Sequence, residues 1–493
     1  MHIISVRTAA AWALVSQYTS FTLQFITSLV LARWFITPEE LGLFSIAFAA
    51  ITLVAFLQDF GVTRYITGER DLSLEKLQMA FTVSVCFAWG IALLSILSAW
   101  PISWFYGDPR MLPVTLVIST SYIFVPLAIV PQAMCQRRLD YKSNAMIEMG
   151  AALANMIAAL GLAIGGHGAL ALAWGAFAQQ AARLVISQWR SRGMWPWPLR
   201  LHDAQPILAI GGTNSMQAVC NSVIARAPEL MIGHLIGNVA VGLFARASGL
   251  ALQLRLLVSG AVTGVFYPAF RQVRDRGEPL GAPYLRVVAA YTGISWPALA
   301  GIATLAQPLV MTLYGQRWME AAPLLIWLAL AQLCYVALPL HADLPILLGR
   351  MPAMIRRLLV DTLASILLLA LAAPFGIEWV AISRLVHGLV WIMIYAPFMR
   401  AILNFSWRDL MRIYAKSFIA TLAAIVPLLM SYGLWHGPHD AGLMQALGGA
   451  MAGIGCWLVT LYALRHPLFT EIALMLGDLR QALSTPRRTR AQP

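Results

Sequence analysis

The stretch Val241–Phe270 reads VGLFARASGLALQLRLLVSGAVTGVFYPAF, thirty mostly apolar residues with Arg255 at the middle. At ~1.5 Å per residue in a helix, Arg255 lies roughly 20 Å from either end, too far for its side chain to snorkel to water. A cation at that depth faces protein or a water-filled cavity and marks a functional position. The stretch also opens on an echo. Val241-Gly242-Leu243-Phe244 repeats Leu41-Gly42-Leu43-Phe44 two hundred residues on, so the chain reads as written twice.

Working outward, 60% of the 493 residues are hydrophobic and 11% charged, and the mean hydropathy is +0.73, where soluble domains carry about 25% charge. Such a chain is a polytopic membrane protein, and its length counts helices rather than soluble domains. The formal charge of +13 suits cations flanking membrane spans, which set orientation, and it also suits phosphate-rich partners. Nucleic acid is not an expected partner. Cys86, Cys135, Cys220, Cys334 and Cys456 stand singly, without a CxxC pair, which argues against a disulfide framework or a zinc site.

Fourteen apolar runs of span length are predicted, from 8–33 to 441–464, the seventh at 205–226, the eighth at 240–268 and the tenth at 320–346. Their connections alternate in charge. Twenty-six Lys and Arg collect on one side; Arg33, Arg110, Arg226 and Arg317 alone lie on the other. The positive-inside rule therefore puts both termini in the cytoplasm and an even number of spans between them. After Arg465 the segment LFTEIALMLGDLRQAL (468–483) reads as a surface-lying amphipathic helix.

The repeat extends beyond LGLF. Phe105-Tyr106-Gly107 closes the third run as Leu313-Tyr314-Gly315 closes the ninth, and Arg137-Arg138 precedes the fifth as Arg356-Arg357 precedes the eleventh. Each copy holds six runs, so the halves share one topology and are related by an axis along the membrane normal. The expected architecture is all-α and polytopic: about fourteen transmembrane helices in two pseudo-symmetric six-helix lobes, 1–202 and 203–403, enclosing a cleft. Residues 404–493 add two helices and a cytoplasmic tail.

Several stretches then carry a resemblance: TPEELGLF (37–44), LQDFGVTRYITGERDLSLEKLQMAF (57–81), WFYGDPRMLPV (104–114), QRRLDYKSNAMIE (136–148), GLFARASGL (242–250), VFYPAFRQ (265–272) and GQRWMEAAPLLIWLA (315–329). Over roughly residues 10–400 the chain resembles bacterial polysaccharide-export flippases, the Wzx/WzxC-like branch of the multidrug/oligosaccharidyl-lipid/polysaccharide exporter (MOP) superfamily. That resemblance implies a MATE/MOP-like fold, alternating access, and a lipid-linked oligosaccharide, carried on undecaprenyl diphosphate, as cargo in the bacterial inner membrane. It implies membrane lipids and polysaccharide polymerase or export machinery as partners, and no cofactor, metal or enzymatic activity.

Depth sorts the charges inside the runs. Arg183, Arg246 and Arg384 lie ~9–11 Å from an interface, within snorkelling reach, so structural and substrate-binding roles both stay open. Arg255 has no such escape, and its permanently charged planar fork suits the paired oxygens of a diphosphate. Two acids, Glu148 and Asp361, occupy corresponding helices of the two copies; each can pair with an arginine, titrate with a coupling proton or bond a hydroxyl. The first and seventh runs carry amide stripes, Gln17 with Gln24 and Asn214 with Gln217 and Asn221, suited to interhelical bonding or to sugar hydroxyls.

Enzymatic readings find little support. No GxxxxGK[ST], HExxH or metal-ligand cluster is present. A membrane glycosyltransferase has only Glu39-Glu40 in its favour, and TPEELG reads equally as a helix cap. A cation-coupled multidrug antiporter of the same superfamily is the nearer alternative, with Asp361 or Glu148 as its coupling carboxylate.

Overall fold

In hydrocarbon a backbone N–H or C=O finds no water, so a chain this apolar must satisfy its own backbone, which a helix does within one segment. A computed structural model describes residues 6–55, 61–191, 196–200, 205–434 and 443–469. Every regular element among them is a helix. The first half holds α1 (Val6–Val30), running into a π-helical turn at Leu31–Phe35, α2 (Pro38–Ala55), the short α3 (Val62–Gly68), α4 (Leu74–Tyr106), α5 (Met111–Ser121), α6 (Val125–Arg137), α7 (Tyr141–Ile164) and α8 (Ala169–Arg190). The second holds α9 (Gln205–Leu235), α10 (Asn238–Asp275), α11 (Gly281–Thr304), α12 (Ala306–Leu313), α13 (Ala321–Val336), α14 (Asp343–Leu347), α15 (Met351–Ala372) and α16 (Ile377–Leu403), followed by α17 (Trp407–Leu434) and α18 (Leu443–Ala463). The described part of each apolar run is mainly helical. Among the described residues, nine helical segments are long and apolar enough to cross a membrane.

Two runs depart from expectation in ways that matter. The seventh continues through Pro228 to Leu235, which takes Arg226 off its expected outer loop and into the helix. The Arg226 guanidinium bonds Glu229 at 3.3 Å, one turn on, and lies over the Phe48 ring at 5.1 Å, so the charge is satisfied where it sits. The tenth run stays helical only to Val336, then breaks at Pro339 and a left-handed Leu340 (φ 54°) before α14. Proline removes a helix donor, and non-helical backbone at membrane depth persists only where protein or a cavity covers it. The segment expected to lie on the surface after Arg465 falls outside the described residues from 470 on.

Packing divides the described chain into two compact units. One comprises the residues up to Arg246 with Leu313–Trp318 and Leu358–Val380; within it α2 packs on α9, and α7 on α1 and α8. The other comprises Ala247–Thr312, Met319–Arg357 and the residues from Ala381 on; there α11 packs on α13 and α17, and α17 on α18.

The repeated LGLF motifs meet in the first unit. A Cβ on Gly42 would stand 1.7 Å from the Asn238 carbonyl oxygen, and a Cβ on Gly242 1.8 Å from that of Pro38. The contact is reciprocal: 42 meets 238 as 242 meets 38. Only positions beside a twofold axis touch their equivalents in this way. Small residues permit the close backbone approach that lipid-embedded helices use in place of a hydrophobic drive. In the second unit, Ser417 on α17 bonds Thr292 on α11 at 2.9 Å and His466 Nε2 at 3.2 Å, while His466 Nδ1 accepts from the Leu468 amide at 3.2 Å. His466, fully buried just beyond α18, thus ties α17 and the end of α18 to α11.

Gly42→Ala should cost about 1–3 kcal/mol through overpacking, visible as a lower Tm in detergent. Gly90, whose added Cβ would meet nothing within 4 Å, serves as control and should be neutral or slightly stabilising on Gly90→Ala. Equal Tm values for the two variants would refute the backbone contact.

Burial, and secondarily Lys416, pushes the His466 imidazole down to about 4. The unfolded chain binds that proton near pH 6.5, so the neutral imidazole's contribution is complete above about 6.5 and is lost as pH falls to 4. Tm should drop across this window, and His466→Gln should flatten part of the drop; an identical pH profile in both proteins would contradict the assignment.

Candidate anion-binding site

A guanidinium withdrawn from water needs a carboxylate, hydrogen-bond acceptors or an aromatic face in exchange. Helices α8 to α10 and α16 carry five such arginines. On α8, Arg183 pairs with Glu148 of α7 at 2.9 Å, and Gln132 of α6 donates to the other Glu148 oxygen at 2.6 Å. On α9, Arg226 has Glu229. On α10, Arg246 is buried, donates to Ser28 Oγ, and is enclosed by the Tyr314 and Trp318 rings at 4.9 and 5.1 Å. The Trp318 indole is in turn held by the Ala32 carbonyl at 2.9 Å, in the π-helical turn after α1. Arg246 is therefore occupied by its own unit.

Arg255 differs. In α10 it stands about 25 Å from the first residue and 30 Å from the last, at 1.5 Å per residue. Its guanidinium lies 5.9 Å from the centre of the Tyr335 ring and makes no hydrogen bond among the described residues; its buried Nε is without a partner, as is the Nε of each of the other four arginines. Among the described residues it forms no ion pair. Tyr291 and His341 lie close enough to feel its charge. His341 sits in the break between α13 and α14, and its ring packs edge-on against Trp391 and Tyr395 of α16. The Tyr335 hydroxyl bonds His387 Nδ1 at 2.6 Å and lies 3.4 Å from the backbone oxygen of Arg384, which is itself buried. The Arg255 side chain and, far off in sequence, the Arg384 backbone and the His387 ring of α16 thus meet at one tyrosine. Arg255, two imidazoles and aromatic faces come together here, and Arg255 has no carboxylate partner among the described residues, a setting suited to an anion.

The other candidates read from the sequence scatter. Asp361 is buried on α15 in the first unit. Gln17 and Gln24 of α1 and Asn221 of α9 are exposed, and Gln217 is half-buried. Asn214 lies on α9 with its side chain outside the described residues. Sequence reasoning missed Tyr335, His341 and His387, because nothing local distinguishes a tyrosine in an apolar run; the Pro339 break was the available signal. It also missed the Arg226–Glu229 pair, legible as opposite charges three residues apart.

Glu39 and Glu40 are held by the fold. Thr37 and Glu40 form a reciprocal capping box, Thr37 N to Glu40 Oε2 at 2.9 Å and Glu40 N to Thr37 Oγ1 at 3.3 Å. Glu39 bonds Arg110 at 2.6 Å, Arg110 bonds Asp108 at 2.8 Å, and Asn238 donates to Asp108 at 3.1 Å. The Arg110 hydrogen bonds hold the Asp108 carboxyl below the ordinary aspartate range.

A family described as polysaccharide biosynthesis protein matches residues 30–323. The succinoglycan biosynthesis transport protein ExoT of Rhizobium meliloti is 24% identical over 98% of this chain and 96% of its own. The lipopolysaccharide biosynthesis protein WzxC of Escherichia coli is 22% identical over 64% of each chain. In structure, the lipid II flippase MurJ in an inward closed conformation superposes with a TM-score of 0.73 at 13% identity, covering 91% of this chain and 97% of that one. An inward-facing MATE multidrug transporter of the MOP superfamily reaches 0.59 at 14% identity, covering 80% and 98%. These structural likenesses are ones of fold.

If Glu148 and Arg183 are chiefly a charge pair, either Glu148→Gln or Arg183→Gln alone should destabilise by about 1–3 kcal/mol, and the double variant should recover much of the loss. Thermal unfolding in detergent measures the cycle. Additive losses, or a transport defect in Glu148→Gln at unchanged stability, would instead make Glu148 a coupling carboxylate.

Proposed function

This chain belongs to the polysaccharide biosynthesis protein family, and from that premise we propose that it is a flippase for a lipid diphosphate-linked oligosaccharide, an O-antigen, capsule or exopolysaccharide unit. It moves the lipid-linked glycan from the cytoplasmic to the outer leaflet of the bacterial inner membrane by alternating access, without ATP hydrolysis. The names of the relatives support this cargo: a succinoglycan transport protein, a lipopolysaccharide biosynthesis protein and, in fold, a lipid II flippase.

In this reading all fourteen apolar runs cross the membrane and both termini are cytoplasmic, consistent with the split of twenty-six cations against four. Residues 1–202 and 203–403 are two lobes that rock about the repeat axis, and 404–493 adds two spans and a tail. The cargo hangs on undecaprenyl diphosphate and passes to a polymerase or export complex. Both Glu39 and Glu40 are engaged in holding helix ends, which weakens the one feature that favoured the glycosyltransferase reading.

The observation that carries the proposal is Arg255: deep in α10, without a carboxylate or hydrogen-bond partner among the described residues, and facing aromatic rings. A permanently charged fork in that state is suited to a diphosphate, whose oxygens accept two parallel N–H bonds. Arg384 contributes positive field, the amides Gln17, Gln24, Asn214, Gln217 and Asn221 offer hydrogen bonds to sugar hydroxyls, and Glu148 and Asp361 balance charge.

Deleting the gene in its host should remove surface polysaccharide and accumulate lipid-linked glycan facing the cytoplasm. Restoring it with Arg255→Lys should recover part of export. Arg255→Ala and Arg255→Glu should reduce export more than tenfold at normal abundance, the loss of a charged hydrogen-bond pair. Normal export by Arg255→Ala would remove Arg255 from the site, and cation-dependent dye efflux with normal surface glycan would favour the antiporter.

A further inference from the structure

An arginine side chain has about 2 kcal/mol of rotamer entropy, so a guanidinium without partners samples many directions. Within the described residues, the contact that restricts Arg255 is the face of Tyr335, 5.9 Å from its carbon to the ring centre. A cation over an aromatic face gains about 0.5–2 kcal/mol, but only while the ring keeps its plane. The Tyr335 ring is itself pinned at its far end. Its hydroxyl bonds His387 Nδ1 at 2.6 Å, and Trp391 abuts it nearly perpendicular, 76° between planes and 5.7 Å between centres. His387 and Trp391, one turn apart on α16, are both buried and cannot yield to solvent.

The chain of contact is therefore α16 to α13 to α10: His387 fixes the tyrosine, and the tyrosine fixes the arginine. The charged and titratable groups around it are Arg255 on α10, Tyr291 on α11, Tyr335 on α13, His341 in the break, and Arg384, His387 and Tyr395 on α16. Arg255 forms no ion pair among the described residues, so the arrangement orients its positive charge without pairing it.

We infer that Tyr335, locked by His387, is the positioning residue that presents the Arg255 guanidinium to the diphosphate of the cargo. This rests on the flippase reading above and adds to it a residue that acts on cargo affinity through Arg255. The hydroxyl of Tyr335 touches no cargo; its effect is to keep the ring, and so the fork, in one orientation.

The test uses the purified full-length protein in detergent with a polyprenyl diphosphate as probe, followed by tryptophan fluorescence, alongside flipping in proteoliposomes. Tyr335→Phe keeps the ring and removes the hydroxyl; His387→Leu removes the partner; His387→Asn keeps a hydrogen-bonding atom near Nδ1. Tyr335→Phe and His387→Leu should each weaken binding about fivefold, the loss of one hydrogen bond, and the double variant should be no weaker than either. His387→Asn should restore affinity to within about twofold. Half-saturating substrate should rise with the maximal rate unchanged, and Tyr335→Phe should have no effect in an Arg255→Lys background, where there is no planar fork to orient. Wild-type binding equalled by Tyr335→Phe, or additive single effects, would overturn the inference while leaving the flippase reading intact. Failure of the wild-type protein itself to bind a polyprenyl diphosphate would overturn both. Where Tyr335→Phe does not fold, the contrast between His387→Leu and His387→Asn decides.

Discussion

Hydrocarbon cannot solvate a charge, and that constraint orders most of what is specific in this chain. Glu148 and Gln132 meet Arg183; Glu229 and Phe48 meet Arg226; Ser28, Tyr314 and Trp318 enclose Arg246. Each solution recruits groups from other helices, so the arginines act as junctions that decide which helices pack together. Breaking any of them leaves an uncompensated charge where water is absent, which costs far more than the pair itself contributes. Against that background Arg255, stabilised by an aromatic face and left without either a carboxylate or a hydrogen bond among the described residues, is the one of these four around which a function can be built.

A second constraint is the doubling of the sequence. Gly42 and Gly242, equivalent positions of the LGLF echo, meet reciprocally, each backbone against the other helix's first turn. The sequence echo is thus a geometric requirement: any side chain at either position would collide with a carbonyl oxygen. The neighbouring capping box of Thr37 and Glu40 and the Glu39–Arg110–Asp108–Asn238 chain hold the ends of the same two helices in place. Two adjacent glutamates that look catalytic in isolation, Glu39 and Glu40, bond groups at these helix ends.

The broken tenth run connects fold to chemistry. A proline and a left-handed leucine end α13 early, and the irregular backbone that follows places His341 beside the aromatic residues of α16 and near Arg255. Irregular backbone at membrane depth is a recurrent device for ligand sites because it is stable only when protein or cavity water covers it. Here the guanidinium of Arg255 and rings from α13, the break and α16 come together.

The sequence by itself determined the class of the protein, the places of the apolar runs, the echo of the LGLF motif and the place of Arg255 along its helix. All of these rest on local quantities: hydropathy summed over a window, charge beside a run, and residue counts along one helix. The seventh run shows where that reasoning stops. Pro228 and the charges near it read locally as the end of a span, yet the helix continues, because the Arg226–Glu229 pair and Phe48 satisfy charge within it. The site shows the same limit more sharply. Arg255 was legible because no local escape exists for a cation at that depth, whereas Tyr335 and His387 were not, since a tyrosine and a histidine fifty-two residues apart have no local relation. Which arginine is neutralised and which stays available depends on the groups that other helices bring to it, and only the tertiary packing of those helices decides that.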